Sequence, residues 1–206
     1  MDATGVGGVS GPSPAAQEFA AYAKRLRGLL ESSAWDAAAR LAEELRSCWR
    51  DQRQVFLCGN GGSAGNAAHL ANDLLYGVAK DRGRGMRATA LPVNTSVVTC
   101  LANDLGYDKI FAAQLAVLAN KGDVLIALSG SGSSPNILRA LEQAKAIGVK
   151  TFAILGYDGG KAKQMADVPI HFAVDDMQLS EDLQLVVGHM IMQWLWRNPP
   201  QRNDSA

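Results

Sequence analysis

The sequence predicts an α/β sandwich, with helices on both faces of a parallel sheet of about five strands and a helical hairpin at the N-terminus. Three observations point there. From residue 54 onward, short apolar runs alternate with stretches of helical periodicity. The strand cores VLIAL and FAIL are apolar without alternation, as strands buried on both faces are. Two of the strand-to-helix junctions are rich in glycine and serine, the kind of junction where parallel sheets bind ligands.

The elements follow in order. From Pro14 to Ser33, Phe19, Tyr22, Ala23, Leu26, Leu29 and Leu30 recur at helical spacing, and a second amphipathic helix covers Trp35 to Arg50. QVFLCG (54–59) reads as a strand and SAGNAAHLANDLLYGVA (63–79) as a helix. MRATALPV (86–93) is the next strand, followed by a short helical stretch near 96–101 and a helix over 109–120. DVLIALSG (123–130) is a strand, and SPNILRALEQAKAIG (134–148) a helix closed by glycine, a frequent C-terminal stop. KTFAILG (150–156) and ADVPIHFAV (166–174) read as strands, and SEDLQLVVGHMIMQWLW (180–196) as the last helix. No internal repeat is visible, so residues 14–197 read as one domain between disordered tails at 1–13 and 198–206.

Composition excludes several functions. Twenty basic and twenty acidic residues cancel, which argues against a nucleic-acid partner or a charged membrane surface. No apolar run approaches the roughly 20 residues of a bilayer span, and the first residues lack the pattern of a signal peptide. Cys48, Cys58 and Cys100 form no CxxC pair and are odd in number, which fits reduced thiols in a cytoplasm.

The two loops share one chemistry. GNGGS follows the strand at 54–59, and SGSGSS (129–134) follows the strand at 123–128. Glycines let backbone N–H groups approach an anion, serines donate hydrogen bonds, and each loop opens a helix whose N-terminus favours phosphate. The first loop alone also reads as a plain strand-to-helix turn. Four serines at 129, 131, 133 and 134 exceed what one helix cap needs. Gly59-Asn60-Gly61-Gly62-Ser63-Ala64 fits G-x-G-x-x-A, but the next strand ends ALPVNTS without the carboxylate that holds a ribose, so a dinucleotide site is set aside. The pattern favours a phosphate on something small.

His69 and Asp73 are four apart on the helix after the first loop and share a face. That pair fits a zinc-type site, a proton-transfer pair, or a plain hydrogen bond. His189, among Val187, Gly188 and Met190, reads from its neighbours as a core histidine, and His171 as structural. Glu181 reads as a first-turn carboxylate of the last helix, favoured there by the dipole alone.

CGNGGSAGNAAH, AND followed by GYDKIF, GDVLIALSGSGSSPNIL, GYDGGK and VVGHMI, in this order, resemble the sugar isomerase (SIS) domain, and more narrowly its phosphoheptose isomerase branch, over about residues 15–196. The resemblance implies a flavodoxin-like three-layer sandwich with N-terminal helices, a cytoplasmic homotetramer with active sites at subunit contacts, and isomerisation of D-sedoheptulose 7-phosphate for heptose-containing glycoconjugates such as lipopolysaccharide. It implies substrate contacts at Asn60, Gly61, Gly62, Ser63, Asn103, Asp104 and Glu181, and phosphate contacts at Ser129, Gly130, Ser131 and Ser134. A zinc ion, one per subunit, would sit among His69, Asp73, Glu181 and His189, with Asp73 as base and His189 as its acid partner. Gly130, Asp73 and Glu181 depart from the family's usual threonine, glutamate and glutamine. Two rivals follow from the same resemblance: another ketose phosphate as substrate, or a non-enzymatic branch that binds the replication initiator and generally lacks the last-helix histidine.

Overall fold

The computed structural model of the protein describes residues 11–32 and 35–201. The N-terminal tail reading therefore falls outside the described residues up to 10, and the C-terminal one from 202. The chain divides into two units, one up to residue 33 and one from residue 34 on. The first holds helix α1 (Pro14–Ser32), which starts on a proline that needs no partner for its missing N–H. The site lies in the second unit.

That unit is a sheet of five parallel strands in the order β2-β1-β3-β4-β5. The strands are β1 (Gln54–Cys58), β2 (Arg87–Ala90), β3 (Val124–Ser129), β4 (Lys150–Leu155) and β5 (Val168–His171). The helices are α2 (Asp36–Arg50), α3 (Gly62–Asn72), α4 (Thr95–Leu105), α5 (Ala112–Leu118), α6 (Pro135–Ile147), α7 (Ala162–Met165) and α8 (Met177–Arg197).

The strands lack alternation in sequence because both faces are covered, yet the two faces still separate by parity. Phe56, Cys58, Leu125, Ala127, Ala153 and Leu155 pack in one core with Phe111 just before α5, Leu115 of α5, and Ile137 and Leu141 of α6. Leu57, Ile126 and Ile154 face the other way, toward Leu41 and Leu45 of α2, Leu70 of α3 and Ile191 of α8. Each fully buried leucine or phenylalanine stabilises the fold by about 1.5–3 kcal/mol.

The strand order places the site. From β1 the chain crosses outward to β2, then returns past β1 to lay β3, β4 and β5 on the other side. β1 and β3 are neighbours, with Leu57 opposite Ile126 and Cys58 opposite Ala127, so their following loops emerge side by side. A crevice at such a reversal is where open parallel sheets bind ligands.

Several boundaries differ from the sequence reading. The helix after β1 stops being α at Asn72 and continues as a π-turn over Asp73–Gly77. α8 begins at Met177, because the Asp176 side chain accepts from the Leu179 N–H at 3.1 Å and caps the helix there. Glu181 therefore lies in the second turn, and the helix dipole does not account for it. α7 was not expected, and α4 is longer than the stretch at 96–101.

Candidate active site

After β1, Gly61 takes φ 53° and ψ −123°, a conformation open to glycine and strained for other residues. That bend aims the backbone of Asn60–Ser63 across the end of the sheet toward the loop after β3. Asn60 to Ser63, Leu128 to Ser131, Ser134, and Met177 and Glu181 of α8 enclose a hollow of about 260 Å³. α3 and α6 both start at its wall, so two helix N-termini serve one cavity.

The serines shape the loop and keep donors to spare. Ser129 Oγ accepts from the Gly132 N–H at 3.0 Å, and Ser131 Oγ from the Ser133 N–H at 3.3 Å. An accepting hydroxyl still has its O–H to give. Ser134 occupies the cap position of α6 without a side-chain cap bond. Gly130 lets Met177 lie against the loop, since a Cβ there would stand 2.6 Å from the Met177 sulfur.

Glu181 packs its carboxylate onto Gly62, where any side chain would overlap it. Its backbone carbonyl accepts from Asn66 Nδ2 at 3.0 Å. The same Asn66 amide donates to Gln184 Oε1 at 2.9 Å, and Gln184 Nε2 donates to Ser63 Oγ at 3.0 Å. Gln184 is buried, so this chain of bonds fixes the first loop to α8 in a setting where a lost partner costs about 1–3 kcal/mol.

A second cluster stands farther along α3 and α8. His69 Nε2 and His189 Nε2 are 2.9 Å apart, and Asp73 Oδ2 lies 3.4 Å from the first and 3.7 Å from the second. Gly188 makes this possible, because a methyl at that position would overlap the Leu70 side chain and push the helices apart. Asp73 opens the π-turn, whose Val78 N–H bonds the Asp73 carbonyl at 2.9 Å; such turns recur at functional positions. The Asp73 side chain is 14% exposed against 49% and 47% for the histidines. It borders a small apolar cavity walled by Leu70, Leu74, Gly188, Ile191 and Met192. His189 is thus no core histidine, contrary to what its apolar neighbours suggest.

The donor set suits a divalent cation. Ligands about 2.0–2.2 Å from a tetrahedral zinc stand roughly 3.3–3.6 Å from one another, and the separations of 2.9, 3.4 and 3.7 Å bracket that spacing. Two imidazole nitrogens and a carboxylate oxygen lie within 3.7 Å of one another. Glu181 is not in this group; its carboxylate lines the hollow.

The remaining expected residues divide. Asn103 and Asp104 end α4, bond each other at 2.7 Å, and do not line the hollow. His171 bonds the Tyr157 carbonyl oxygen at 3.0 Å, in keeping with a structural role. Cys58, at the end of β1 beneath the first loop, is pushed up to about 12 by burial and is no nucleophile. Sequence reasoning missed Asn66, Gln184 and Met177. Asn66 stands three residues after Ser63 and Gln184 three after Glu181, a helical spacing that marks both as neighbours of site residues.

Residues 18–156 match the SIS domain family. A phosphoheptose isomerase of Helicobacter pylori strain P12 is 36% identical over 187 residues, 91% of this chain and 96% of that protein. A phosphoheptose isomerase of Nitratiruptor is 43% identical over 142 residues, 69% of this chain and 75% of that protein. Among solved structures, a phosphoheptose isomerase from Francisella tularensis superposes with a TM-score of 0.83 at 26% identity, covering 90% of this chain and 100% of that one.

Proposed function

The chain belongs to the SIS domain family, within its phosphoheptose isomerase branch, and from that premise we propose how its two clusters divide the work of isomerising a sugar phosphate. It is an aldose–ketose isomerase, and the substrate is D-sedoheptulose 7-phosphate, converted to D-glycero-D-manno-heptose 7-phosphate. The observation that carries the assignment of roles is that α8 serves both clusters. It lends Glu181 to the hollow and His189 to the histidine–aspartate group. Eight helical residues rise roughly 12 Å, which keeps the phosphate and the reacting carbons at opposite ends of one extended substrate.

The loop serines and the N-termini of α3 and α6 hold the phosphate. Asp73 takes the proton from the carbon next to the carbonyl and returns it to the neighbouring carbon, by way of a cis-enediol. His189, beside Asp73 at 3.7 Å, gives and recovers the proton on oxygen. His69, Asp73 and His189 would hold zinc, one per subunit, and that ion when bound would supply Lewis acidity at the substrate oxygens in place of the His189 proton. Glu181, as an acceptor in the hollow, takes hydrogen bonds from sugar hydroxyls.

The wider reading follows the family: a tetramer with sites at subunit contacts, in a cytoplasm that keeps the three thiols free. Among the described residues no helix is long and apolar enough to cross a membrane. His189, the residue the initiator-binding branch generally lacks, stands inside the cluster. The test is a panel of ketose phosphates assayed for aldose with and without chelator. Sedoheptulose 7-phosphate is expected to be the best substrate and chelator to suppress turnover. Absence of aldose from every ketose phosphate, together with capture of the initiator, would overturn the reading.

A further inference from the structure

Asn60 carries the only side-chain amide on the first loop, and its hydrogen bonds are nearly used up before a ligand arrives. Its Nδ2 donates to Asn136 Oδ1 at 2.9 Å, and Asn136 Nδ2 donates back to Asn60 Oδ1 at 2.7 Å. Asn136 is 1% exposed, in the first turn of α6, so this reciprocal pair joins the first loop to the start of α6. The Tyr107 hydroxyl donates to the same Asn60 Oδ1 at 3.1 Å. An amide oxygen accepts twice and an amide nitrogen donates twice. Asn60 is left with one N–H and no acceptor.

We infer that Asn136 and Tyr107 are positioning residues that fix the Asn60 amide so that it meets the substrate as a donor alone, selecting a phosphoryl or carbonyl oxygen over a hydroxyl proton. Tyr107 is itself held in place. It begins a short 3-10 turn after Gly106, which takes φ 98°, and Asp108 of that turn pairs with Arg139 of α6 at 3.8 Å. The segment thereby follows the helix that bears Asn136. The AND–GYD segment thus touches the first loop, at Asn60, through Tyr107.

The inference rests on the sugar phosphate reading, and a double-mutant cycle on binding separates the two. Tyr107→Phe removes one hydroxyl from a residue 57% exposed, so folding is not at stake. The dissociation constant for sedoheptulose 7-phosphate is measured by titration calorimetry for the intact protein, Tyr107→Phe, Asn60→Ala and the double variant. Tyr107→Phe is expected to weaken binding about fivefold, and in turnover the loss appears in KM rather than in kcat. In the Asn60→Ala background the second change is expected to add nothing. Additive losses, or an unchanged constant in Tyr107→Phe, overturn the inference. If the intact protein binds sedoheptulose 7-phosphate without producing aldose, the isomerase reading fails while the cycle still reports on Tyr107.

Discussion

Around the loop hollow the side-chain amides are held by other amides, whereas among the described residues the side chains of His69, Asp73 and His189 bond one another. Asn60 is paired with Asn136, and Asn66 with Gln184, whose other end grips Ser63. The second cluster consists of two half-exposed imidazoles and one carboxylate at 2.9 to 3.7 Å, with an apolar cavity beside the carboxylate. A region that must present fixed donors to an anion benefits from order imposed before binding. A region that must pass protons, or accept a cation, needs groups whose valences are still open. On the proposed assignment of roles the difference separates affinity from chemistry, and substitutions should divide along the same line.

The largest effects fall on the open cluster. Asp73→Ala and His189→Ala are each expected to lower turnover by roughly 10²–10⁴-fold, the range a positioned acid or base supplies. Both should leave the thermal transition in place, and near-normal isomerisation in either would remove that residue from its role. Next comes Gly188→Ala, which forces α8 away from Leu70 and so parts the two histidines. A displacement of about 1 Å costs on the order of 100-fold in rate, and the overpacking about 1–3 kcal/mol of stability. Adding Leu70→Ala should recover part of the rate by making room, which steady-state kinetics on the pair would register. The smallest effect belongs to the ordered region. Ser131→Ala removes one hydroxyl that lines the hollow and, on the proposed reading, bonds the phosphate; at about 1.5 kcal/mol it is expected to raise KM roughly 10-fold with little change in kcat. A fall in kcat instead would mean that the hollow takes part in the chemistry.

Much of this was legible in the chain. The five strands announced themselves because doubly covered strands need uninterrupted apolar cores, and both loops stood out because closely spaced glycines and serines have few other uses. His69 and Asp73 were paired by helical spacing. What escaped depended on close approach between elements distant in sequence. By its neighbours Val187 and Met190, His189 looked like a core residue, and only the family resemblance marked it as a site residue; nothing local says that Gly188 opens the way to Leu70. The π-turn at Asp73 rests on a single shift in bonding register, which leaves no periodic trace. Asn136 reads as an ordinary first-turn residue until Asn60 is placed opposite. The start of α8 could have been found, since Asp176 before Met177 is an ordinary cap signal.

One rigid helix joins the two ends of the site, with Glu181 at one station and His189 two turns beyond. A rod of that kind acts as a ruler. On the proposed assignment of roles it would measure the substrate from tail to head, so that a ketose phosphate missing a carbon would seat its phosphate yet leave its carbonyl short of the imidazole. Discrimination between sugars of different length would then show as idle occupancy rather than rejection at the door.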